Sequence, residues 1–169
     1  MLGRGIVPHG IHAAILSFFF MLGMLGQPVL GLTFPVTTKY YSLDLPKDWA
    51  VLRGPIKQDE TLFVQLANTK KTTTATLVVA KASPKTLNEA IKIYSKRLQT
   101  TPITRQGQTE FKIKHKSDVG YCLLRYEPRS HLLVILSVSG ELKNIDFLFK
   151  VRTPYVGLFP LRPLDLDKP

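Results

Sequence analysis

The sequence predicts an α+β domain, an antiparallel β-sheet with amphipathic helices packed on it. Runs with strand periodicity stand before and after one segment with helical periodicity. The turns between those runs are short and polar, which suits antiparallel hairpins better than parallel crossovers. The chain behind its apolar start is also long enough for one hydrophobic core and too short for two.

That start, residues 1–31, has the outline of an export signal. A single basic residue, Arg4, precedes the apolar run AAILSFFFMLGMLG (Ala13–Gly26), and Val29 and Gly31 supply small residues for a cleavage site after Gly31. The 14 uninterrupted apolar residues make about 21 Å of helix at ~1.5 Å per residue, short of a hydrocarbon core of about 30 Å. Reading on through Pro28 to Leu32 gives the alternative, an uncleaved membrane anchor over residues 13–32. Loss of Arg4 with the leader leaves 22 basic against 12 acidic side chains, a net charge of +10. Such a field favours anionic partners and says nothing of the fold.

The domain proper is read as residues 32–151. YYSLDL (Tyr40–Leu45) alternates and ends at Pro46. Trp49–Leu52 either continues it or pairs with it, and Gly54 and Pro55 mark a turn. Thr61–Ala67 and Thr73–Lys81 form a hairpin with Lys70 and Lys71 at its tip. The period then changes, because Leu87, Ala90, Ile91, Tyr94 and Leu98 share one face of a helix. Pro84 suits its first turn, Thr86 and Glu89 have capping-box spacing, and Lys96 and Arg97 suit its carbonyl end. On this reading Ile91→Lys is the change that unfolds the helix.

After a loop at Pro102–Gln108, the strands Glu110–Lys116, Tyr121–Glu127 and His131–Ser139 form a meander, with turns at Asp118–Gly120 and Glu127–Ser130. The apolar run Leu132–Leu136 reads as a central strand covered on both faces, with helix on one side. Over residues 142–151 two spacings compete. Leu142, Ile145 and Phe149 are helical, Phe147, Phe149 and Val151 are strand-like, and the helical one is taken as a second helix. The tail, residues 152–169, carries four prolines and reads as an extended segment on the domain or in solvent. PLRP (Pro160–Pro163) has polyproline spacing and is read as packed or free tail.

The leader, the opening YSLDLPKDW (Tyr41–Trp49), several strands, one amphipathic helix and a closing meander together resemble the PsbP/DcrB-like superfamily over residues 39–151. The resemblance implies an α/β/α sandwich around an antiparallel sheet, in non-enzymatic envelope or lumen proteins that bind partners or assist assembly. The tail has no counterpart in that pattern, and no ligand-binding residue carries over.

Catalytic and metal-binding spacings are absent. Behind the leader only His115 and His131 remain, without H-E-x-x-H, paired cysteines, an acidic calcium loop or a phosphate-binding glycine motif. SVSGE (Ser137–Glu141) lacks the glycine that a nucleophile elbow requires. Cys122, the one cysteine, excludes an internal disulfide and reads as a small buried hydrophobe. No catalytic residue, metal or cofactor is expected. The candidate anion- or partner-binding residues are two lysine rows. Lys112, Lys114 and Lys116 alternate along one strand, where they bind an anion or protect an exposed edge. Lys85, Lys92 and Lys96 line the polar side of the helix.

The expected function is an exported, non-enzymatic accessory or partner-binding protein of the cell envelope, in the periplasm or outside the cell, using this basic surface. Its partner is another envelope protein or an anionic envelope surface. Nucleic acid is not expected, because the lysine row lacks interleaved aromatics for stacking. The alternatives are an inner-membrane-anchored component of a multiprotein envelope assembly and a hydrolase with a scattered acidic and histidine site.

Overall fold

The computed structural model describes residues 35–115 and 118–166. The leader, its cleavage site and Lys116 lie outside the described residues. A two-stranded ribbon pairs β1 (Val36–Thr37) with β2 (Ser42–Leu43). Thr38 closes its turn by accepting hydrogen bonds from the amides of Tyr40 and Tyr41 at 3.1 and 3.0 Å. The main sheet is seven-stranded and antiparallel throughout. It contains β3 (Trp49–Gln58), β4 (Thr61–Asn68), β5 (Thr73–Lys81), β6 (Ile103–Arg105), β7 (Gln108–His115), β8 (Asp118–Glu127) and β9 (Leu132–Gly140), in the spatial order β3-β4-β5-β9-β8-β7-β6. Helix α1 (Pro84–Leu98) follows β5. The chain therefore leaves the middle of the sheet through α1, reaches the far edge at β6 and meanders back to set β9 beside β5.

Strand alternation sorts the side chains into two cores. On one face Leu62, Val64, Leu66, Leu77, Val79, Leu123, Val134 and Leu136 are buried together. They are covered by the β1–β2 ribbon, a 3-10 turn at Asp146–Phe149 and the tail, whose Leu158 and Phe159 join the same cluster. Trp49 meets Phe147 edge-on at 4.9 Å, and Tyr41 meets Phe159 in the same way at 5.3 Å. On the other face α1 buries Ala90 and Tyr94 against Phe111, Cys122, Leu124, Leu133 and Ile135. The run Leu132–Leu136 is buried at every residue, since β9 has a strand on each side and a cover on each face.

This architecture corrects the expected sandwich. The protein is mostly antiparallel β, and among the described residues only one α-helix packs on the main sheet. Residues expected as a second helix form the four-residue 3-10 turn, in which Leu148 is buried and Phe147 and Phe149 pack around it. Neither competing spacing is followed; a short irregular cap buries Ile145 and Leu148 in the larger core. The second helical layer implied by the PsbP/DcrB-like resemblance is absent among the described residues.

Smaller corrections have local causes. Gly54 and Pro55 do not turn the chain. They lie within β3 at register shifts between Val51 and Ile56, and the turn falls at Asp59–Glu60. Proline carries no amide to donate and suits the outer edge of a sheet, where β3 lies. The segment 103–105, expected as loop, is the edge strand β6. The helix is capped by Ser83, whose Oγ accepts from the Thr86 amide at 3.2 Å, so the capping residue is Ser83 and Thr86 lies inside the helix.

Candidate partner-binding surfaces

The six candidate lysines divide between the two faces of the sheet. Lys85, Lys92 and Lys96 are exposed on α1. Their spacing of seven and then four residues places them on one stripe, opposite the face that carries Ala90 and Tyr94. The stripe extends over about 16 Å of helix axis at ~1.5 Å per residue. The ion pairs found elsewhere among the described residues draw on Lys81, Arg105, Lys112, Arg152 and Arg162 and leave these three lysines without an acid partner.

Lys112 and Lys114 project from β7 to the opposite face, the one covered by the tail. Their strand neighbours Phe111 and Ile113 pack toward α1. The two rows therefore do not merge. Strand β6 pairs with residues 108–110 of β7 only, which leaves the remainder of β7 as an outer edge carrying Lys112 and Lys114. Charge at such an edge opposes pairing with another chain. Lys114 is exposed. Lys112 is engaged. Its Nζ donates to Asp165 Oδ2 at 2.7 Å, while the Tyr121 hydroxyl donates to Asp165 Oδ1 at 2.9 Å. The hydrogen bond from Lys112 holds the Asp165 carboxyl below its ordinary range, and the same bond raises the Lys112 ammonium. The Tyr121 hydroxyl is raised first by burial and then by its bond to Asp165.

This tail site includes residues that sequence reasoning missed. Gln108, expected in a loop, is fully buried at the start of β7. Its amide oxygen accepts from the Leu161 amide at 2.6 Å, and its Nε2 donates to the Leu161 carbonyl at 3.0 Å and to Glu110 Oε1 at 2.8 Å. Arg105 donates from Nη2 to the Arg162 carbonyl at 2.9 Å and to Glu110 at 3.1 Å. Arg125 donates from Nε to the Gly157 carbonyl. Pro160 and Pro163 are buried, so PLRP lies against the domain. The signal available in sequence was the apolar and proline content of residues 158–164, but the docking position depends on contacts across more than fifty residues, as between Gln108 and Leu161.

The other residues with chemical potential are placed in structural surroundings. Cys122 is buried beneath α1, and burial pushes its thiol up to about 12. His131 is exposed in a turn with φ of 53°, its Nδ1 within 3.1 Å of the Tyr126 hydroxyl, and the side chain of His115 lies outside the described residues. Glu127 accepts from the amides of Arg129 and Ser130 at 3.0 and 2.6 Å and so fixes the β8–β9 turn. Ser137 is in the middle of β9, away from any strand-to-helix turn. Among the described residues no cluster of three histidine, cysteine or acidic side chains is arranged to hold a metal ion, and no helix is long and apolar enough to cross a membrane.

No family model matches the chain, and no curated protein matches it. A solved structure from Bacteroides thetaiotaomicron VPI-5482 aligns at 12% identity with a TM-score of 0.42, over 82% of this chain and 55% of that one. The chain thus spans about half the length of that protein.

Proposed function

We propose that this protein is an exported, non-enzymatic accessory component of the cell envelope that binds an anionic partner through the outer stripe of α1. The observation that carries the reading is the set Lys85, Lys92 and Lys96, exposed, on one line and without acid partners, on a helix fixed to the sheet by Ala90 and Tyr94. A rigid helix holds the three ammoniums at fixed spacing, so less conformational freedom is lost on binding than from a flexible basic tail. The net charge of +10 behind the leader supplies long-range attraction to the same class of partner. The envelope location rests on the leader pattern, and the adaptor role agrees with what the superfamily resemblance implies for function.

The test is co-purification from native envelopes using the tagged full chain and a variant with Lys85, Lys92 and Lys96 changed to Glu. The reading predicts a partner retained by the first in low salt and lost by the second. Equal recovery with both chains contradicts it.

A further inference from the structure

We infer that the groove over β7 and β8, on the face opposite α1, is a recognition site for an extended, proline-containing acidic segment of a partner protein, and that residues 157–165 occupy it in cis. The groove is built from two rungs of the β7–β8 ladder, Gln108 paired with Arg125 and Lys112 paired with Tyr121. Each rung turns hydrogen-bonding groups toward the tail. The Gln108 side-chain amide meets both backbone polar groups of Leu161, donating to its carbonyl and accepting from its amide, which is how a neighbouring strand would contact it. Contact with backbone alone places no demand on the side chain there, and Leu161 points outward at 37% exposure. Selectivity comes from the flanking positions, where Phe159 and Pro160 are buried, Phe159 edge-on to Tyr41, and Asp165 meets the ammonium and hydroxyl of the second rung.

The tail leaves one part of this site unmet. Arg125 uses Nε on the Gly157 carbonyl, yet its Nη1 is buried with no hydrogen-bond acceptor among the described residues. None of the ion pairs among the described residues gives this guanidinium a carboxylate, so a segment that supplies one is expected to bind better than the tail does. The place for an acid can be located along the tail, at the Nε–Nη2 edge of the same guanidinium. A Cβ built on Gly157 has Arg125 Nη2 as its nearest atom, at 3.7 Å, and nothing else within 4 Å. A carboxylate carried at that position meets the guanidinium at Nη2, beside the Nε that the Gly157 carbonyl already holds. The backbone there has φ of +77°, a conformation that Asp and Asn adopt more readily than other side chains. The favoured occupant therefore carries an acid at the place of Gly157, an apolar residue and proline at 159 and 160, and a second acid at the place of Asp165. This surface is separate from the α1 stripe, so the two readings stand or fall independently.

Cis occupancy acts as competition at an effective concentration on the order of millimolar for a short linker. The experiment therefore uses the full chain carrying Asp165→Lys, which repels the tail from Lys112, with folding checked by circular dichroism. Fluorescence anisotropy is read for two labelled peptides of residues 154–166, one unmodified and one carrying Gly157→Asp. The acidic peptide is expected to bind at least tenfold tighter than the unmodified one. Arg125→Met in the protein is expected to remove that preference while retaining the weaker binding. The Lys85, Lys92 and Lys96 substitutions are expected to leave both affinities unchanged. The inference is overturned if the two peptides bind the folded chain equally or not at all. It is overturned also if sedimentation shows the chain exchanging its tail with a second copy while the acidic peptide has no advantage.

Discussion

Lys112 and Asp165, 53 residues apart in the chain, meet at 2.7 Å, with the Tyr121 hydroxyl donating to the other carboxylate oxygen. The contact changes what the lysine row on β7 can do. One of its members is already neutralised by the protein's own tail, which leaves the α1 stripe as the larger unpaired basic feature among the candidate lysines described.

The same contact predicts a pH window for tail docking. Asp165 has a lowered pKa in the folded chain, so its contribution is present above the ordinary carboxylate value of about 3.9 and is lost as pH falls through the folded value. Lys112 and Tyr121 are both raised, so their contributions are present below their ordinary values of about 10.4 and 10 and are lost as pH rises through the folded ones. Hydrogen exchange at residues 158–166 is expected to be slow between these limits, once corrected for the intrinsic pH dependence of exchange, and to quicken on both sides. In Asp165→Asn the acid limb should flatten. An acid limb unchanged by that substitution contradicts the account.

Truncation after Thr153 removes Leu158 and Phe159 from the larger core. At about 1.5 to 3 kcal/mol for each buried side chain, the loss is expected to be roughly 3 to 6 kcal/mol. Urea unfolding of the two chains measures it, and unchanged stability rejects the tail as part of the core.

The packing of α1 gives a sharper test than the Ile91→Lys change expected from periodicity alone. Ile91 is only half-buried, whereas Tyr94 is 3% exposed with its ring centroid 6.0 Å from that of Phe111. Tyr94→Ala is expected to cost about 3 to 5 kcal/mol, in the range for deleting a core aromatic, and more than Ile91→Ala. Chemical denaturation of both variants decides the order.

Cys122 lies in the same core, with its thiol pushed up to about 12 by burial. At neutral to mildly alkaline pH it should resist a thiol reagent in the native protein and react at once in denaturant. Rapid reaction of the folded chain contradicts the helix-on-sheet core.

The parts of the fold that were legible in sequence are those governed by local periodicity. Leu62, Val64 and Leu66 alternate because β4 has one face on the larger core, and Ala90, Tyr94 and Leu98 recur because α1 lies on the other. The run Leu132–Leu136 announced a central strand because both of its faces are covered. What was not legible depends on partners far away in the chain. Gln108 reads as loop because a buried amide gives no hydrophobic signal, and its partner is the Leu161 backbone. Residues 142–151 carry apolar groups at both periods because a 3-10 turn obeys neither for long. Gly54–Pro55 has the composition of a turn and serves as an irregularity at an edge. Of the candidate site, the helix lysines were readable from spacing alone. The separation of Lys112 and Lys114 to the opposite face follows from strand register, and the capture of Lys112 follows from the tail's path.

The most direct measurement is binding of the full chain to vesicles containing anionic lipid, and to heparin, as salt is raised, beside the variant with Lys85, Lys92 and Lys96 changed to Glu. The account predicts binding that weakens steeply with salt and is lost in the variant, while thermal stability is retained because the three side chains are exposed. Binding that persists in the variant, or that is absent from the unaltered chain at low salt, contradicts the assignment of α1 as the partner surface.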